Sequence, residues 1–62
     1  MIARITEGLV VQAAREWAAR KNKSDAAAVA NAEETMVALK AKLTGEEYDR
    51  AIEKLYREYD ES

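Results

Sequence analysis

Apolar residues recur along this chain at helical spacing in three blocks. In the first, Ile2, Ile5, Leu9, Ala13 and Trp17 form one stripe, widened by Val10 and Ala14, with Arg4, Gly8, Gln12 and Arg15 opposite. That layout predicts an amphipathic helix over residues 2–21. Gly8 costs roughly 1 kcal/mol against Ala in a helix interior, which favours fraying or a later start. A short strand over residues 1–7 is the competing assignment, but both alternating sets contain an isoleucine, so the helix fits better. The run Lys21-Asn22-Lys23-Ser24 then breaks the pattern. Basic residues suit a helix C-terminus, Asn accepts the left-handed cap conformation, and Ser24 or Asp25 can cap the next helix.

The second block predicts a helix over residues 25–42. Its main stripe is Ala28, Ala32, Met36, Leu39 and Leu43, with Val29 beside it, small at the start and larger towards the end. A second stripe runs roughly opposite, through Ala26, Ala30, Val37 and Ala41, flanked by Glu33 and Glu34. A helix with two apolar faces touches two neighbours. Surface alanines alone raise helicity without touching anything; Val37 is the residue that argues for a contact.

The third block predicts a helix over residues 45–60, with Tyr48, Ile52, Leu55 and Tyr59 on one face and Ala51 and Tyr56 beside it. Thr44 and Glu47 have capping-box spacing, with Leu43 and Tyr48 placed as a hydrophobic staple. On the outer face, Glu46→Arg50 and Glu53→Arg57 are i,i+4 pairs with the acid first. Asp60-Glu61-Ser62 reads as a frayed end. Against a break at Thr44-Gly45 stands the phase of the pattern. Ala30, Val37, Ala41, Thr44, Tyr48, Ala51 and Leu55 would make a heptad-like seam on one unbroken helix. The cap signal and Gly45 favour the break.

Composition supports an all-α fold of three amphipathic helices, as a small bundle or a hairpin plus a third helix. Thirteen of 62 residues are Ala, none is Pro and two are Gly. A chain of about 60 residues has a marginal core and is at most one domain. With no cysteine and no histidine, disulfides, thiolate metal sites and the commonest general base are excluded. Self-association is the remaining means of adding buried surface, and the two-faced second helix suits it. No apolar run reaches the length of a transmembrane span, and the N-terminus lacks a signal-peptide layout, so a cytoplasmic protein is expected.

Candidate chemistry is sparse. The acids cluster as Glu33-Glu34, Glu46-Glu47-Asp49 and Asp60-Glu61, all on polar faces, with no calcium-loop spacing and no Glu-x-x-His. No Ser or Thr has a His partner, and there is no glycine-rich phosphate loop. No cofactor or metal is expected, and an enzyme is not. Non-catalytic protein–protein interaction, as an adaptor, regulator or inhibitor, is the expected function, with another protein or a second copy as partner. Val37, Ala41, Tyr48, Tyr56 and Tyr59 are the candidate contact residues, because Tyr is enriched at interface hot spots.

Charge supplies the alternative. Residues 1–24 carry a net +3, residues 25–43 a net −1 and residues 44–62 a net −4. Side-by-side packing of the basic and acidic thirds explains this without a ligand. A nucleic-acid surface would use Arg4, Arg15, Arg20, Lys21 and Lys23. On the strand-first assignment, residues 1–43 loosely resemble the ribbon-helix-helix repressors, dimers whose strand pair enters the major groove. The resemblance implies base contacts from Arg4 and Thr6 and an acidic third helix that binds protein.

Overall fold

The computed structural model describes residues 5–62, which form three helices: α1 (Glu7–Arg20), α2 (Asp25–Lys42) and α3 (Gly45–Glu61). There is no strand among the described residues. The bounds of α2 are those expected, and α3 runs one residue further.

Helix α1 starts later than the expected residue 2. Thr6 has extended backbone, φ −102° and ψ 165°, and its hydroxyl accepts the Leu9 N–H at 3.2 Å. It is an N-cap, and Glu7 behind it suits the positive end of the helix dipole. Ile5 and Thr6 belong to neither helix nor strand. Positions 2–4 of the expected helix, and the strand assigned to the same stretch, lie outside the described residues. At its other end α1 closes in a Schellman motif. Asn22 takes φ 58°, its N–H donates to the Ala19 carbonyl at 3.3 Å, and the Lys23 N–H donates to that of Ala18 at 2.8 Å. Asn tolerates that left-handed region better than other non-Gly residues. Ser24 caps α2 by accepting the Ala27 N–H at 3.2 Å.

The chain breaks between α2 and α3, so the continuous seam does not form. Leu43 and Thr44 are both extended and Gly45 sits at φ 57°. That conformation also undoes the expected capping box. The Thr44 hydroxyl accepts no cap hydrogen bond, and the Glu47 N–H donates instead to the Thr44 carbonyl at 3.2 Å. A capping box needs helical backbone immediately after the cap. A left-handed Gly45 swings the carbonyl, not the hydroxyl, over the Glu47 amide. On the outer face of α3 the Glu53–Arg57 pair closes at 3.0 Å, whereas Glu46 and Arg50 do not pair.

Helix α1 is the middle element. It packs against both α2 and α3, which touch each other sparingly, and the molecule is flattened to 34 × 29 × 16 Å. The short loop makes α2 antiparallel to α1. Helix α3 runs parallel to α1, with Glu7 meeting Tyr48 at one end and Arg20 meeting Tyr59 at the other. The basic and acidic thirds of the chain therefore lie side by side.

Serving two neighbours demands a wide buried face on α1. Its centre is Val10, Ala14 and Ala18, at i, i+4, i+8, with Ala13 also buried; the expected Ile5–Leu9–Trp17 line lies at the edge. Val10, Ala14 and Ala18 meet Ala28, Ala32 and Met36 of α2 and Ile52 of α3 in one core cluster. Alanines on both sides of the α1–α2 contact let the two backbones approach closely. Ile5, Val11, Trp17, Tyr48, Leu55, Tyr56 and Tyr59 pack around the cluster. No polar or charged residue is buried among the described ones.

Candidate interaction surface

The second stripe of α2 emerges on the outside of this arrangement. Ala26, Ala30, Val37 and Ala41 are all exposed. Val37 is 70% exposed, the single large hydrophobic residue so placed among those described. Because α1 takes the opposite face of α2 and α3 barely reaches it, nothing in the described chain covers this side.

Val37 stands at the edge of an open groove of about 450 Å³ between α1 and α2. Glu7, Gly8 and Val11 form its α1 wall, and Glu33, Met36, Val37 and Lys40 its α2 wall. Surface depressions continue from it on two sides: over Ala30, Glu34 and Ala38 on α2, and along Gln12, Arg15 and Glu16 on α1. At Gly8 an added Cβ would meet one neighbour, the Thr6 hydroxyl at 3.8 Å, so the groove is unfilled there. Isolated exposed hydrophobic residues are ordinary, but an apolar strip rimmed by charge is the form docking surfaces take.

The five expected contact residues do not share one surface. Val37 and Ala41 lie on the outer face of α2. Tyr48, Tyr56 and Tyr59 lie half-buried against the core on the inner face of α3. The Tyr48 hydroxyl donates to the Glu7 carboxylate. Burial first, then that hydrogen bond and the charges of Glu7 and Asp49, push its pKa up to about 12. The Tyr59 ring meets Trp17 edge-on, with centroids 5.6 Å apart and planes at 66°. Burial, then the charge of Glu58, raises its pKa as well.

The candidate nucleic-acid residues are dispersed among structural contacts. Arg4 lies outside the described residues. Arg15 pairs with Asp25 at the start of α2, at 3.3 Å. Arg20 donates to the carbonyls of Tyr59 at 2.6 Å and Ser62 at 3.4 Å. Five positions apart, these two arginines point about 140° away from each other around α1. The Lys23 ammonium lies 6.0 Å from the centre of the Trp17 ring, and Lys21 is exposed at the Schellman turn. Thr6, a strand residue under the ribbon-helix-helix resemblance, is the N-cap of α1.

The pattern of the sequence did not single out Gly8, Val11 or Lys40 as groove residues. Lys40 was accessible to it, since Glu33 and Lys40 stand four before and three after Val37, on the same flank. The α1 wall was not, because it depends on how α1 turns against α2. No protein-family model, no curated protein and no solved structure matches this chain.

Proposed function

We propose that the chain is a non-catalytic helical module for protein–protein interaction, an adaptor, regulator or inhibitor that docks through the outer face of α2. One observation carries this reading: Val37, 70% exposed, at the rim of an open groove with apolar Val11 and Met36 in its walls. An apolar residue at the middle of a charged rim contributes little to a monomer and much to a complex. Tyr48, Tyr56 and Tyr59 pack on the core from α3 and lie apart from Val37. The nucleic-acid alternative draws less support, because Arg15 and Arg20 are engaged with α2 and α3 and face apart.

The test is a Val37→Glu variant. Position 37 is on the surface, so the helical circular dichroism should be unchanged. Proteins captured by the immobilised wild-type chain should be lost from the variant, or the oligomeric mass should fall. If capture and mass are both unaltered, the stripe is plain surface and the reading is wrong.

A further inference from the structure

We propose that the outer face of α2 binds a second copy of this chain, with the two α2 helices antiparallel and crossing at Val37. The inference rests on the docking reading above and names its occupant. Its basis is a self-complementary arrangement of charge. Glu33 and Lys40 line the same groove as Val37. They lie on one flank of the stripe, seven residues apart, which is two turns and about 10.5 Å along the axis. At that separation they do not reach each other, and neither makes an ion pair among the described residues.

A twofold axis through Val37, perpendicular to a pair of antiparallel helices, keeps each flank on its own side and reverses its direction. Glu33 then falls beside Lys40 of the second copy, and Lys40 beside its Glu33. The interface is isologous, and two ion pairs form from one. Val37 packs on its own symmetry mate at the centre. The other flank carries Ala30, Ala38 and Ala41, small enough for the helices to close to contact distance. Glu34 is the one acid on that side, and its stem can lie over Ala41 of the second copy. A parallel pairing would instead bring opposite flanks together, setting Glu33 beside Glu34 of the second copy and Lys40 beside its Ala41, so that like charges meet and no ion pair forms.

Sedimentation equilibrium over a wide concentration range reads the mass directly. The wild type should pass from monomer to dimer, and Val37→Glu should remain monomeric. Either Glu33→Lys or Lys40→Glu alone puts like charges opposite each other twice, and should weaken the dimer roughly tenfold or more. The double variant Glu33→Lys/Lys40→Glu should restore it, and an equimolar mixture of the two single variants should form the mixed dimer.

Register is tested by cross-linking, since the sequence has no cysteine. Val37→Cys should oxidise to a disulfide dimer and Glu33→Cys should not. Efficient cross-linking through position 33 with none through 37 would overturn the antiparallel register. A wild type that is monomeric at every concentration, while protein capture is still lost in Val37→Glu, overturns the self-pairing and leaves the docking reading intact. A dimer indifferent to Val37→Glu overturns the self-pairing, and if capture is unaltered as well it overturns both.

Discussion

Tyr48 shows how one side chain can tie two helices that the sequence pattern treats separately. Its hydroxyl crosses from the first turns of α3 to Glu7 in the first turn of α1, a sequence separation of 41. Because the folded pKa is raised from 10.0 to about 12, the neutral phenol is favoured by folding. This contribution to stability is therefore fully present below about pH 10 and is lost as pH rises through about 12. Tyr59 is shifted in the same direction. A tyrosinate absorbance titration should accordingly show a late-titrating component. In Glu7→Gln that component should move towards ordinary tyrosine without reaching it, since burial is the larger cause. An unchanged titration in the variant would mean that Glu7 does not hold the hydroxyl. None of this was legible in the sequence, where Tyr48 reads as a stripe, staple and candidate contact residue with no partner for its hydroxyl. Asn22 was legible, because its conformational tolerance belongs to the residue itself.

Among the elements, α3 is the one whose ends are unusual. Its last turn carries Asp60 and Glu61 and no basic residue, the wrong sign for the negative end of a helix dipole. Arg20 of α1 supplies the missing cation by donating to the carbonyls of Tyr59 and Ser62. This is why the end expected to fray is helical to Glu61. Arg20→Ala should cost about 1 kcal/mol, lowering Tm by roughly 4–8 °C in a domain of this size. It should speed hydrogen exchange in the last turn of α3 more than elsewhere. Arg20→Lys should recover only part, because both bonds come from the terminal Nη2 of the guanidinium, and the lysine ammonium is more strongly hydrated and sits on a shorter side chain. At the start of α3, Thr44 and Glu47 have the right spacing for a capping box, yet φ 57° at Gly45 defeats it. Spacing alone carries no information about the backbone between. The start of α2 was placed correctly because the Ser24 cap and the pattern agree there, and its end because the Thr44-Gly45 break signal was taken over the phase of the pattern. On α1 the large residues Leu9 and Trp17 drew the stripe off centre, and the clue to its late start, Thr6 followed by Glu7 and the weak helix former Gly8, is a short one.

At the scale of the molecule, the flattened arrangement makes the alanine-lined α1–α2 contact and the Ile52 anchor do different jobs. Ala32, wholly buried between the helices, sets how closely they approach. Ile52 supplies volume. The two should fail in opposite ways under urea. Ala32→Leu adds apolar atoms where there is no room and should cost about 1–3 kcal/mol by forcing the helices apart. Ile52→Ala leaves a cavity and should cost about 2–5 kcal/mol, a large part of what so small a domain has. If Ala32→Leu proves stabilising, the helices are not in close contact there. That α2 has two faces was readable from Val37. Which face α1 takes was also readable, from the graded sizes of Ala28, Ala32 and Met36. That α3 returns parallel to α1 was not, since it depends on contacts 39 and 41 residues apart.

The ring pair of Trp17 and Tyr59 has a spectroscopic consequence. Trp17 is the only tryptophan in the chain, and it sits where α3 meets α1, edge-on to Tyr59 and near the Lys23 ammonium. Its emission senses whether that corner is assembled, whereas backbone ellipticity sums all three helices. The protein thus carries a native optical probe of one interface. Superimposable fluorescence and ellipticity melting curves would mark α3 as docking in concert with helix formation, and an earlier fluorescence midpoint would mark it as the piece that lifts away first.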